Sequence, residues 1–288
     1  MEPNVVCLLQ KGGTADPGDR RPIVLLSCVY RVWAACRAHI MRKWLRQNKI
    51  LVSGEACGPD IKAGELALRL SAARLLGGAI GGLALDWSKC YDRLPLDALA
   101  EIAKSANMPQ ELWGPMLHAY KMPRLVRADG VASTSHRPTC GLAPGCPAAT
   151  DWLALLVYLW KTKIAAVSDQ SEGRDYVDDM VATSTTTHEA PRSLEEVVED
   201  VTQFWRITDD FRSSTTLSLN AGKSNMFGTS GALRRALAQT GGPKVKDDFL
   251  DLGVVQSASG IPGSRLTDKR LEGAMSRFAR IGTLPLPL

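Results

Sequence analysis

The order of apolar patterns along this chain predicts an α+β fold, on three observations. Strand-like runs come in pairs joined by Gly-, Pro- or Asp-rich turns, the signature of antiparallel hairpins. Between them lie stretches whose apolar residues recur every three to four positions, as in helices packed on a core. The two kinds follow one another in mixed order, with no repeat and no low-complexity segment.

Taken in order, "VVCLLQ", "KGGTADPGDR" and "RPIVLL" read as strand, turn and strand, a β-hairpin with a long tip. From Leu25 to Leu45 apolar residues recur at 25, 29, 32, 33, 36, 40 and 44, helical spacing with Arg and Lys on the other face. "GELALRLSAARLL" (64–76) reads as a second helix, ended by Gly77 and Gly78. "GGLALDW" (81–87) is a buried strand ending in a carboxylate, and "PLDALAEIAKSAN" (95–107) a helix with Pro near its start. "KMPRLVRADGVAST" (121–134) suits a hairpin turning at Asp129-Gly130, and an apolar helix follows from 150 to about 164. "GRDYVDDMVATS" (173–184) reads as strand, turn and strand. The next helix, 193–211, opens on a capping box, Ser193 with Glu196, and carries an apolar stripe at 194, 197, 198, 201, 204 and 205. "TTLSLN" is expected to be a short strand leading to "AGKS", "FLDLGVV" a further strand, and "DKRLEGAMSRFARI" (268–281) a basic amphipathic helix.

A chain of 288 residues can bury a substantial core in one or two domains. Its longest apolar run, "WLALLVYLW" (152–160), is well short of the roughly 20 residues a membrane-spanning helix needs, so it reads as a core helix and no membrane partner is expected. The start, "MEPNVV", lacks the basic and apolar segments of a secretory signal. Seven scattered cysteines, odd in number and without a C-x-x-C pair, suit reduced thiols in an intracellular compartment, nucleus or cytoplasm alike. The net charge of +5 is concentrated at the start: residues 1–50 hold nine Lys/Arg against three Asp/Glu. That suits a polyanionic partner, and equally a solvated basic helix face. No pattern specifies an oligomeric state.

Asp178 and Asp179 stand side by side in an apolar, β-branched run where a strand should resist charge. Two other pairs, Asp209-Asp210 and Asp247-Asp248, lie in polar surroundings and read as solvated faces. A tight turn between paired strands would instead present Asp178 and Asp179 at one rim of a sheet, and Asp86 ends another apolar strand. Three such carboxylates would repel one another unless divalent cations sat among them, and hard oxygen ligands suit Mg²⁺ or Mn²⁺. Two ions clamping the attacking and leaving oxygens is a recurrent solution for phosphoryl transfer.

The segments around these residues resemble the reverse transcriptase family, most closely the non-LTR retrotransposon type, over nearly the whole chain and in the family's order. "KGGTADPGDRRPI" is similar to the fingers hairpin, "LALDWSKCYD" to D-x-S-K-x-[FY]-D, "GLAPGCP" to G-x-x-Q-G and "YVDD" to Y-x-D-D. "LSLNAGKS" is similar to N-x-x-K-S, and "FLDLGVV" to the strand that grips the primer. The resemblance implies a right-hand polymerase fold: partial fingers with the leading hairpin (1–80), a palm of antiparallel sheet packed on helices (81–257), and the start of a truncated thumb (258–288). It implies an RNA-directed DNA polymerase that extends a DNA or RNA primer on an RNA template with dNTPs and two Mg²⁺ ions, Mn²⁺ serving as well. Asp86 and Asp178 would then hold both metals, Asp179 would support them, and Lys223 would face the leaving pyrophosphate. Lys11 and Arg21 would bind the triphosphate, and Tyr91 would lie beneath the sugar and exclude a 2′-hydroxyl. Gly141 and Gly145 would let nucleotide and template approach the backbone. Outside the resemblance, Tyr91 reads as a core tyrosine, Lys223 as a surface lysine and the glycines as turn residues.

The chain departs from the family where Pro144 replaces Gln, at the missing fingers extension and in its single thumb helix. Two rivals follow: a polymerase-fold nucleic-acid-binding fragment without activity, and an RNA-dependent RNA polymerase. The second tends to carry Asp at the fifth position after its first metal ligand, where this chain has Tyr91.

Overall fold

The computed structural model describes residues 4–9, 20–51, 59–129, 131–252 and 254–260. In chain order the elements are β1 (Asn4–Leu9), β2 (Arg21–Leu25), α1 (Cys28–Gln47), α2 (Pro59–Leu75), β3 (Ala79–Asp86), α3 (Cys90–Arg93), α4 (Leu96–Ser105) and α5 (Gln110–Tyr120). There follow β4 (Arg124–Ala128), β5 (Val131–Ala132), α6 (Ala149–Ala165), β6 (Ser171–Tyr176), β7 (Asp179–Thr186) and α7 (Leu194–Thr215). The last are β8 (Asn225–Gly228), α8 (Gly231–Leu237), β9 (Asp248–Asp251) and β10 (Val254–Ser257). They divide into two compact units, one of Met1–Ala56, Trp87–Lys163 and Ile207–Leu219, the other of Cys57–Asp86, Ile164–Arg206 and Asn220–Leu288. None of the described helices is long and apolar enough to cross a membrane.

The first unit holds a four-stranded sheet in the order β2-β1-β4-β5. β1 and β2 form the expected antiparallel hairpin, with Val6 opposite Val24 and both buried. β1 also pairs in parallel with β4, and β4 turns into β5 through Asp129, whose φ of 50° is in the left-handed region that Asp tolerates. α1 is capped by Ser27, whose Oγ accepts from the Tyr30 N–H at 3.2 Å. Its buried stripe is Ala34, Ala38, Met41 and Leu45, not the bulkier stripe the spacing predicted; Val29 and Val32 are exposed. The helix is apolar on more than one face, and close packing selects the face with small residues. Trp152 and Trp160 of α6 are fully buried, and Trp160 donates its indole N–H to Thr208 Oγ1 at 3.0 Å.

The second unit is built on an antiparallel sheet in the order β6-β7-β3-β8. β3 is its central strand, buried along its length until Asp86. Gly81 is required there: a Cβ would stand 2.9 Å from Val197 Cγ1 of α7. α7 begins with the reciprocal capping box, Ser193 N–H to Glu196 Oε2 at 2.7 Å and Glu196 N–H to Ser193 Oγ at 3.1 Å. It is pinned to β7 through Asp200, which is buried and accepts from Arg192 Nη1 at 2.7 Å, Ser184 Oγ at 2.6 Å and Ser168 Oγ at 2.7 Å. On the other side, Leu66 and Leu70 of α2 pack with Ile80, Ala84 and Val181, and Phe227 stacks on Phe249 with centroids 4.5 Å apart.

Several elements differ from the sequence reading. "TTLSLN" is not a strand: α7 runs on to Thr215, Thr216 ends it with φ 54°, and only Leu219 bridges, to Trp87. The strand is β8, four residues long and fully buried against β3, too short to show a period of its own. "FLDLGVV" is a hairpin, β9 turning at Leu252 (φ 51°) into β10. α5 is a helix although Gly114-Pro115 inside it has the pattern of a break. The expected basic helix at 268–281 lies outside the described residues.

Candidate active site

The β6–β7 hairpin closes with Tyr176 paired to Asp179, leaving Val177 and Asp178 as its two-residue turn. The first turn position of this kind favours glycine, because its φ is positive. Here it is Val177 at φ 61°, a β-branched residue in a costly conformation, and the turn holds Asp178 beside Asp179 at the rim of the sheet. On its other edge β7 pairs with β3, and the register sets Asp86 directly opposite Asp179. Residues so paired share a face with Cβ atoms about 4.5–5.5 Å apart, and like charges there are destabilising.

The segment after α7 grips the end of β3. Asn220 donates its N–H to the Asp86 carbonyl at 2.8 Å, and the Asp86 N–H donates to Ser224 Oγ at 3.1 Å. The turn between them is closed by the Ser224 N–H to the Asn220 carbonyl at 2.8 Å and the Gly222 N–H to Asn220 Oδ1 at 3.2 Å. This places Lys223 Nζ 3.0 Å from Asp86 Oδ2, an ion pair whose lysine is mostly exposed. Asn220 and Ser224 are thus site-forming residues. The N-x-x-K-S spacing contained them, but their hold on the Asp86 backbone is visible only in the folded chain.

A cavity of about 230 Å³ opens onto this rim, lined among others by Asp86, Asp179, Lys223, Leu250 and Asp251. Burial lifts the Asp179 carboxyl to about 6, and the neighbouring charges of Asp178, Asp86 and Asp251 add to the rise against an opposing pull from Lys223. Asp178 is raised as well, by burial first and by Asp86, while its own backbone N–H and Lys223 work the other way. The donor set is one of hard oxygens under mutual repulsion, which in its chemistry fits a divalent cation. Among the described residues, no group of three or more His, Cys, Asp or Glu side chains is arranged to hold a metal ion as the side chains stand.

The other expected site residues belong to the first unit. Tyr91 lies half-buried in the single turn α3, and its carbonyl accepts from the Leu142 N–H at 2.9 Å. The "GLAPG" loop is held against α3 by the Gly141 N–H, which donates to the Leu94 carbonyl at 2.8 Å. Gly141 has φ +89°, and a Cβ there would stand 2.9 Å from the Asp92 carbonyl oxygen. Gly145 is exposed with φ +94° and open space around it. Arg21 opens β2, and Lys11 lies outside the described residues.

A family model described as "Reverse transcriptase (RNA-dependent DNA polymerase)" matches residues 9–231, well over half of the chain. No curated protein matches by sequence. Among solved structures, telomerase from Candida tropicalis in complex with a TWJ fragment of telomeric RNA is 11% identical, with a TM-score of 0.56 over 90% of this chain and 45% of that one. Apo telomerase from Candida tropicalis, truncated from its C-terminal domain, is 14% identical with a TM-score of 0.53, over 89% of this chain and 56% of that one. Telomerase from Candida albicans in complex with a TWJ fragment of telomeric RNA gives 11% and 0.51 over 90% and 45%. This chain therefore spans about half the length of the structures it matches. At such identities the likeness is one of fold, the α+β polymerase fold in which an antiparallel sheet packs on helices. The family match adds what fold alone leaves open, and on it the chain belongs to the reverse transcriptase (RNA-dependent DNA polymerase) family.

Proposed function

We propose that this chain carries out RNA-directed DNA synthesis, extending a DNA or RNA primer along an RNA template with dNTPs, as part of a non-LTR retroelement. The observation that carries the reading is Asp86 in register with Asp179, with Lys223 Nζ 3.0 Å from Asp86. The RNA bound by two of the telomerase structures is consistent with an RNA template here.

Asp86 and Asp178 would hold two Mg²⁺ or Mn²⁺ ions, with Asp179 in support; when bound, these supply charge neutralisation at the attacking and leaving oxygens. The rest falls to the chain's own groups. Lys223 carries a proton on Nζ at the exposed rim and gives positive charge, then that proton, to the departing pyrophosphate. Lys11 and Arg21 hold the triphosphate, Gly145 lets template and nucleotide approach the backbone, and Tyr91 excludes the 2′-hydroxyl. Residues 1–80 act as fingers, 81–257 as palm and 258–288 as the start of a thumb. Pro144, which lacks the amide of the family's Gln, favours a second reading: nucleic-acid binding without catalysis.

Primer extension on an RNA template, with dNTPs and Mg²⁺ or Mn²⁺, tests the first reading. Template-dependent incorporation that disappears in Asp178→Asn is the expected result. Tight primer–template binding with no incorporation under either metal would leave the second.

A further inference from the structure

β9 runs Asp248–Asp251, and in a strand alternate residues share a face. Phe249 points inward, where it stacks on Phe227. Asp251, two residues on, is therefore on the inward side too: it is only 7% exposed, while Leu250 between them is 49% exposed. This inverts the usual pattern, with the carboxylate buried and the leucine outside. Burying a carboxylate is costly unless it is paired or bound to a cation. Among the described residues no hydrogen bond or ion pair reaches the Asp251 carboxylate. The opposing charge it feels is that of Arg174, whose Nη2 and Nε face Glu65 and Glu172 while its buried Nη1 has no hydrogen-bond partner.

Asp251 does, however, face two cavities. One is the cavity it shares with Asp86, Asp179 and Lys223; the other is a smaller one lined by Lys62, Arg174, Tyr176 and Asp179. Asp179 lines both. The β9–β10 pairing holds Asp251 at this junction, opposite Val254 and next to the turn.

We infer that Asp251 is a fourth carboxylate of the site, contributing to the hold on a divalent cation in the cavity it shares with Asp86 and Asp179. None of the segments that announce the site in the sequence contributes it as a ligand. The inference rests on the metal-dependent reading proposed above. It gives a carboxylate that makes no hydrogen bond or ion pair a second counter-charge beside that of Arg174, and it makes the β9–β10 hairpin part of the cation site as well as a wall of its cavity.

The test is Mn²⁺ binding by the full chain, followed by electron paramagnetic resonance and by the Mn²⁺-induced rise in Tm, in Asp251→Asn, Asp251→Glu and Asp86→Asn. Asp251→Asn should weaken Mn²⁺ binding roughly tenfold, within the range for supporting groups at metal sites. Its metal-free form should melt no lower than the unmodified chain, since a buried charge is removed. Asp251→Glu, which keeps the carboxylate, should restore affinity to within a few-fold. Unchanged Mn²⁺ binding in Asp251→Asn alongside a loss in Asp86→Asn would overturn the role of Asp251 and leave the site standing. Unchanged binding in both would remove the metal reading altogether. A metal-free Asp251→Asn that melts lower would show the carboxylate to be structural, which also overturns the inference.

Discussion

Asp86 and Asp179 stand opposite one another on adjacent antiparallel strands, two carboxylates in a position where the sheet gains nothing from them. Lys223 offsets part of the repulsion by an ion pair to Asp86. Removing one charge should therefore separate stability from activity. Asp86→Asn is expected to melt at or above the temperature of the unmodified chain and to lose on the order of a thousandfold or more in primer extension, because positioning and charge neutralisation dominate phosphoryl transfer. Differential scanning fluorimetry and single-nucleotide incorporation measure the two. Asp209→Asn, at the half-exposed ion pair with Arg212 on α7, should do neither.

Asp179 contributes to the pH dependence of the metal-free chain, in the same direction as the raised carboxyls of Asp178 and Asp251. In the folded chain its carboxyl is held up to about 6, against an ordinary value of 3.8. The folded state keeps this proton where the unfolded chain has lost it. Its contribution is complete below about pH 4 and gone above about pH 6. Melting in the presence of a chelator should show Tm falling across that window, and Asp179→Asn should flatten the fall. Mg²⁺ affinity should run the other way, weakening as pH drops below about 6 and protons compete for the same oxygens.

Asp200 makes the opposite contribution. Burial works to raise its carboxyl, but the bonds from Arg192, Ser184 and Ser168 prevail and hold it below the ordinary range. The stability it supplies is present above that range and lost as pH falls through the lowered value. Arg192→Ala leaves the buried carboxylate without its cation, at a cost of about 3 kcal/mol. In a melting experiment that corresponds to a fall in Tm on the order of 5–10 °C, with part of the acid sensitivity gone. An unchanged Tm would mean that the serines alone satisfy Asp200.

Val177 holds a strained conformation at the first position of the β6–β7 turn. Val177→Gly should relieve that strain and raise stability by roughly 1 kcal/mol, read as a small rise in Tm. The same change frees the turn that carries Asp178, so primer extension should slow while the melting temperature climbs.

Tyr91 decides which sugar is accepted if it lies beneath the nucleotide. Excluding a hydroxyl by overlap in a close-packed site is expensive, and removing the wall removes the discrimination. Tyr91→Ala should shift the ratio of kcat/KM for dNTP over rNTP toward ribonucleotides by about ten- to a thousandfold. Matched single-nucleotide incorporation measures it. A preference of the unmodified chain for rNTPs would turn the assignment to RNA synthesis.

Much of this architecture was legible in the residues. The hairpin around Tyr176–Asp179, the capping box at Ser193 and the end of β3 at Asp86 are all written in local patterns, since turns, caps and periodicities depend on near neighbours. Elsewhere the local signals are short or contradictory. β8 has four residues, α5 contains Gly114-Pro115, and "FLDLGVV" hides a turn between two apolar halves. In α1 the helix was plain but its buried face was not, because apolar residues lie on several sides and the small ones, Ala34 and Ala38, were selected by packing.

By itself the sequence determined the types of the longer elements, the placing of Asp86, Asp178 and Asp179 at strand ends and turns, and the order of motifs by which the family is known. Only the tertiary structure decided that Asp86 meets Asp179 in register, that Asn220 and Ser224 clasp the Asp86 backbone, and that Asp251 is turned inward beside them. The reason is the separation along the chain. Strand register and burial are settled by contacts between residues that lie tens to more than a hundred positions apart, such as Asp86 with Ser224. No local pattern encodes which residue will stand opposite which; the closest packing of Gly81 on Val197 and of Phe227 on Phe249 does.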